Sequence, residues 1–142
     1  MNTDRKIELY CQRGWCPVPW AHHPPEIKEE IRRIGFRPKL KSCFENCQRF
    51  VIDTVLDVQY HEGYALSLIP IEHAWLTWHG KIIDLTISDI QAYLKNNTYD
   101  WNQITKSIVR TGVFGPIDQR ALAMCSDWYQ AFGRELYKRS CR

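Results

Sequence analysis

The sequence predicts an α+β fold in which helices flank a small antiparallel sheet, and three features of its patterning predict it. Apolar residues recur at helical spacing through KSCFENCQRFVIDTVL, where Phe44, Cys47, Phe50, Val51 and Val55 form one stripe that belongs in the core. The segment that follows, VLDVQYHEGYALSLIPIEHAWLTWHGKIIDLT, turns to β-branched and aromatic residues broken by turn signals at Glu62-Gly63, Pro70 and His79-Gly80. Helical periodicity then returns toward the C-terminus. At 142 residues and 44% hydrophobic, the chain has the length of one domain with its own core.

Taken in order, residues 1–41 read as an irregular arm and a short helix. The arm, YCQRGWCPVPWAHHPP, carries four prolines and no usable period, so Trp15 and Trp20 are its expected anchors. In PEIKEEIRRIG, Pro25 sits at a first helical position, acids come early, arginines come late and Gly35 follows the end, which predicts a helix over 26–34. Residues 42–87 carry the second helix and a meander of about three strands. Residues 88–142 read as helical: Ser88 as the cap of SDIQAYLKNN, a helix near DWNQITKSIVR, and a last helix over 118–138 with Leu122, Cys125, Trp128, Tyr129, Phe132 and Leu136 on one face.

Charge excludes some partners. With 19 Lys and Arg against 16 Asp and Glu, spread along the chain, no basic stripe forms and no specific nucleic-acid partner is expected. The opening residues lack an apolar signal core, and no run approaches the ~18 apolar residues of a membrane span, so a cytoplasmic location is expected, with no membrane partner. Six cysteines are then expected to be reduced thiols rather than a disulfide framework.

Ser42 and Glu45 have the S-x-x-E spacing of a capping box, which makes Cys43 the first helical residue. A sulfur there meets unsatisfied N–H groups and the positive end of the helix dipole, and Lys39 and Lys41 add positive charge. Cys47, one turn on, has apolar neighbours and a packing role. Two buried small hydrophobes are the plainer reading of such a pair.

The rest of the chain supplies partners for a thiol. If His79-Gly80 is a two-residue hairpin loop, Thr77 faces Ile82 and Trp75 faces Asp84, so His73, Trp75 and Asp84 share one sheet face. His73 and Asp84 are then diagonal neighbours, within reach of an imidazole–carboxylate contact. A nucleophilic thiol needs those two groups, a base for its proton and a carboxylate to hold the imidazole. A satisfied strand histidine and a solvated acid remain the alternative.

The ordered set C-x-x-N at Cys43 to Asn46, Tyr60-His61-Glu62-Gly63-Tyr64, Glu72-His73-Ala74-Trp75 and Ile83-Asp84-Leu85-Thr86 resembles uncharacterised bacterial and phage proteins of the papain-like superfamily. The likeness covers about residues 40–87. It implies a papain-like core with Cys43 as nucleophile, His73 as general base and acid, and Asp84 as the orienting residue, with no cofactor. Cys47 stands where the family has Ala, and Leu85 where it has Pro. The stretch GFRPKLKS has no Gln ahead of the nucleophile, so an oxyanion hole would use the Cys43 N–H and another donor, with Asn46 a candidate. Trp75 and Glu62 are candidates to edge the cleft, with Trp15 and Trp20 walling it.

Two function classes follow. One is a thiol-dependent hydrolase or acyl-transfer enzyme acting on an amide, isopeptide or thioester bond of a protein or peptide. The other is a binding protein on the same fold, such as a phage-type inhibitor of a host protein, acting in the host cytoplasm. Cys11, Cys16, His22 and His23 have ligand types suited to zinc, but the C-x4-C-x5-H-H spacing fits no common finger and a docked loop is the stronger expectation. Cys125 and Cys141 receive no role.

Overall fold

The computed structural model describes residues 5, 8, 9, 12–17, 23–87, 89–117, 119 and 122, with backbone alone at 16 and 17. They divide between two units, Met1–Thr98 and Tyr99–Arg142. The architecture is α+β.

In the first unit, helix α1 spans Pro25–Ile34 with proline at its first position, and it ends at Gly35, whose φ of 65° is the left-handed conformation a glycine adopts without cost. Helix α2 spans Cys43–Asp53 and buries Asn46, Cys47, Gln48, Phe50 and Val51. Val55, expected in that stripe, lies beyond the helix end at Thr54 and is exposed. The two helices are joined at two places. Phe36, just after α1, packs edge-on against Phe50 with ring centres 5.6 Å apart. Glu30 takes Arg33 on both carboxylate oxygens and also accepts the Thr54 hydroxyl and the Val55 N–H.

The sheet contains β1 (Cys16–Pro17), β2 (Gln59–Leu66), β3 (Pro70–Trp78), β4 (Lys81–Ile83) and β5 (Ala92–Tyr99), in the spatial order β1-β5-β2-β3-β4. Strands β2, β3 and β4 form the expected meander, and β1 runs antiparallel to β5. The arm, expected to be irregular, thus contributes a short edge strand, and Trp15 beside it is buried with Leu66 and Ala92 rather than walling a cleft. Trp20 lies outside the described residues. Helix α2 packs on β3 and β2, with Gln48 donating to the Tyr60 hydroxyl.

Two expectations about the strands are corrected. Glu62-Gly63 is no turn but the middle of β2, and an added Cβ on Gly63 would lie 2.0 Å from the Leu94 carbonyl oxygen. The glycine is required because a neighbouring backbone passes there. That neighbour is β5, which occupies the stretch read above as a helix capped by Ser88; Ser88 itself is outside the described residues. A strand forms because β2 offers a long edge to pair with, and tertiary pairing overrides local propensity.

The second unit contains α3, Trp101–Thr111, as expected near DWNQITKSIVR. Asp100 and Gln103 form its capping box, each side chain accepting the other's backbone N–H. The helix expected over 118–138 lies outside the described residues except for Gln119, which donates to the Tyr99 hydroxyl, and Leu122. Among the described residues no helix is long and apolar enough to cross a membrane.

Candidate active site

Three segments converge on His73. The His79-Gly80 loop has positive φ at both residues, 49° and 73°, the backbone of a two-residue hairpin turn whose twist matches the strands. It sets Thr77 opposite Ile82 and Leu76 opposite Ile83. By alternation His73, Trp75 and Asp84 fall on one face, and His73 Nε2 lies 2.7 Å from Asp84 Oδ2. Asp84 is past the end of β4, where the chain turns: its Oδ1 accepts the N–H groups of Thr86 and Ile87 at 3.0 Å each. Its other oxygen, Oδ2, also accepts the Tyr93 hydroxyl at 2.6 Å.

Cys43 opens α2, half-buried, and its side chain lies close enough to His73 to favour the protonated ring. Since Asp84 occupies Nε2, Nδ1 is the ring nitrogen left for the sulfur. Hydrogen bonds thus join imidazole, carboxylate and phenol, and the thiol acts on the same imidazole. His73 is 1% exposed, stacked over Trp75 with the ring planes 16° apart, and Trp75 itself is buried with Ala65, Ile90 and Tyr93. Trp75 is therefore a floor beneath the imidazole and not the cleft edge expected of it.

Burial by itself would discharge His73. Hydrogen bonds and charge from Asp84 and Cys43 outweigh that and push its pKa up to about 9, so the imidazolium is favoured at neutral pH. Burial would likewise raise Asp84, but the bonds from His73, Tyr93 and the Ile87 N–H hold it below the ordinary carboxylate value. Cys47 differs in kind from Cys43: fully buried, with its thiol donating to the Ala74 carbonyl, it is pushed well up by burial and by the negative groups around it. The chain matches no protein-family model, no curated protein and no solved structure. What the site can do is therefore argued from its own atoms.

The remaining candidates separate from the site. The capping box expected at Ser42 is absent: Ser42 makes no side-chain cap bond, and Glu45 binds Lys39 and Arg49 instead of reaching back. Two cations within reach of one carboxylate outcompete a neutral N–H. Asn46 is buried and fully used, donating to the Lys39 carbonyl and to Thr86 Oγ1 and accepting the Lys39 N–H. An amide has two N–H donors, and both are taken, so Asn46 is a brace and not an oxyanion donor. Glu62 alternates to the opposite sheet face from His73 and accepts the Tyr60 hydroxyl at 2.6 Å, so it does not edge the site.

His61, on the His73 face, is held between Thr77 and Thr98 at 2.7 and 2.8 Å. Burial, with a smaller push from Lys95, lowers its pKa to about 4, so it is a neutral packing histidine. Of the zinc set, Cys11 and His22 lie outside the described residues, and the Cys16 side chain is not described. Among the described residues no cluster of three or more His, Cys, Asp or Glu has the arrangement of a metal site. The residue that sequence reasoning missed is Tyr93, hidden in the segment read as a helix. A glycine in mid-strand at position 63 was the available signal that another strand lies alongside.

Proposed function

We propose that the chain is a papain-like cysteine hydrolase or acyl-transfer enzyme acting on an amide, isopeptide or thioester bond of a protein or peptide. The observation that carries this reading is the convergence of Cys43 and Asp84 on one imidazole, with the carboxylate 2.7 Å from His73 Nε2 and the thiol acting on the same ring. In the first step, Cys43 Sγ, its proton already resting on Nδ1 of the His73 imidazolium, attacks the carbonyl carbon, and the carbonyl π pair moves onto oxygen. The Cys43 N–H, one of the first helical N–H groups that have no intrahelical acceptor, is the donor nearest the sulfur for that oxyanion. Collapse breaks the C–N or C–S bond, His73 returns the proton to the leaving group, and the acyl group stays on Cys43 as a thioester. Water deprotonated by His73 then releases the acid; an amine in its place gives acyl transfer. No cofactor enters these steps.

Asp84 keeps Nε2 protonated throughout, which reserves Nδ1 for the proton it exchanges with sulfur. Cys43 is expected to be alkylated by iodoacetamide near neutral pH ahead of buried Cys47, with the rate falling in His73→Gln. Loss of selectivity, or unchanged biological activity in Cys43→Ala, overturns the enzyme reading.

A second reading, a binding protein on the same fold, is supported by the β2–β3 turn. Leu68 is 89% and Ile69 67% exposed there, an apolar tip of the kind a protein partner covers. It predicts that Leu68→Glu with Ile69→Lys abolishes biological activity while Cys43→Ala keeps it.

A further inference from the structure

We infer that Tyr93 is a positioning residue of the Cys43, His73 and Asp84 site: its hydroxyl fastens the carboxylate oxygen that faces the imidazole and takes a share of that oxygen's charge. The inference rests on the reading that those three residues act together.

The geometry argues it from Asp84 outward. This carboxylate accepts four hydrogen bonds, two backbone N–H groups on Oδ1 and both His73 Nε2 and Tyr93 Oη on Oδ2. The backbone pair fixes Oδ1 and the direction of the carboxylate, and a turn alone would suffice for that. The phenol at 2.6 Å competes with the imidazole for one oxygen, so the two donors divide its charge. Tyr93 comes from β5, on the far side of β2 from β3, and its ring centre lies 4.8 Å from Trp75 and 6.3 Å from His73. The donor is therefore held by packing and cannot swing away when the proton moves. Among the described residues, Cys43 and Cys47 from α2 and Asp89 from the loop before β5 are further titratable groups that act on this cluster.

Tyr93→Phe keeps the ring and removes the donor. With Asp84 still held by His73 and the two N–H groups, its undivided charge grips the imidazolium more firmly. The expected result is a His73 titration raised by about 0.5–1 pH unit. Proton–nitrogen NMR on the full chain with labelled histidine reads it, with the His73 signal assigned by its loss in His73→Gln. A ring-fluorinated tyrosine at position 93, a stronger donor of nearly the same volume, should lower the titration and serves if the phenylalanine variant folds poorly. An unmoved or lowered titration in Tyr93→Phe, or a raised one with the fluorinated ring, overturns the inference; a fall in melting temperature alone does so too. Failure of Cys43 to react in wild type would instead overturn the enzyme reading, and the His73 titration would still decide the role of Tyr93.

Discussion

The pairing at His73 should make stability fall with rising pH, and the size follows from the site. In the folded chain the imidazole's pKa rises from the ordinary 6.5 to about 9, although burial opposes the charge, because Asp84 and Cys43 favour it. At about 1.36 kcal/mol per pH unit, that rise corresponds to about 3 kcal/mol of folding free energy. Since the folded value lies above the unfolded one, the contribution is fully present below about pH 6.5 and is lost as pH rises through about 9. Urea unfolding followed by tryptophan fluorescence at a series of pH values measures it as a slope between those limits. His73→Gln removes a buried, bonded ring and lowers stability at every pH, so the comparison is of slopes and not of absolute values. The expected slope is steep in wild type, nearly flat in His73→Gln and reduced in Asp84→Asn. Parallel slopes in wild type and His73→Gln would refute the reasoning, because the imidazole would then titrate alike in both states.

Other perturbations test the frame around the site. Gly63→Ala drives a Cβ to 2.0 Å from the Leu94 carbonyl oxygen and 3.0 Å from the Asn96 nitrogen; a loss of about 3 kcal/mol or more is expected in urea unfolding, since two backbones must separate. Glu30 is held down to about 2 by Arg33, with help from the Val55 N–H and the Thr54 hydroxyl. Its contribution is present above about pH 4.5 and disappears as pH falls through about 2, so Glu30→Gln should flatten the acid limb of stability measured by circular dichroism. Asn46→Ala removes the three hydrogen bonds of a buried amide and should cost roughly 2–4 kcal/mol at about 1 kcal/mol each. An oxyanion donor would instead lose turnover with stability intact, and kinetics beside a melting curve separates the two.

Much of the site was legible because its determinants are local. A His-Gly loop of two residues sets the register of β3 on β4, and register with alternation brings His73 to Asp84. Helix α1 was readable for the same reason, from Pro25 at one end to Gly35 at the other. What stayed hidden depends on contacts distant in the chain. AYLKNNTY contains residues of both preferences, and only the open edge of β2 decides for a strand. Losing that strand meant losing Tyr93. The Ser42 box failed in another way: the motif was present, but Lys39 and Arg49 claimed the Glu45 carboxylate, and charge outweighs a spacing rule.

The brace made by Asn46 explains how a helix start and a loop forty residues away can hold one thiol in register with one carboxylate. Its amide grips the N–H and the carbonyl of Lys39, closing the turn in which Lys41 has a positive φ of 58° just ahead of Ser42 and Cys43. The second N–H of the same amide reaches Thr86 Oγ1, and the Thr86 backbone N–H binds Asp84 Oδ1. One buried side chain thus ties the turn that delivers the sulfur to the turn that delivers the carboxylate. An error in either position is transmitted to the other, so the distance from Cys43 to His73 depends little on how α2 itself settles against the sheet. The neutral amide does this without adding a charge beside the thiol, whereas an aspartate at position 46 would place a negative group one helical turn from Cys43 and lose both of the N–H donors that make the brace.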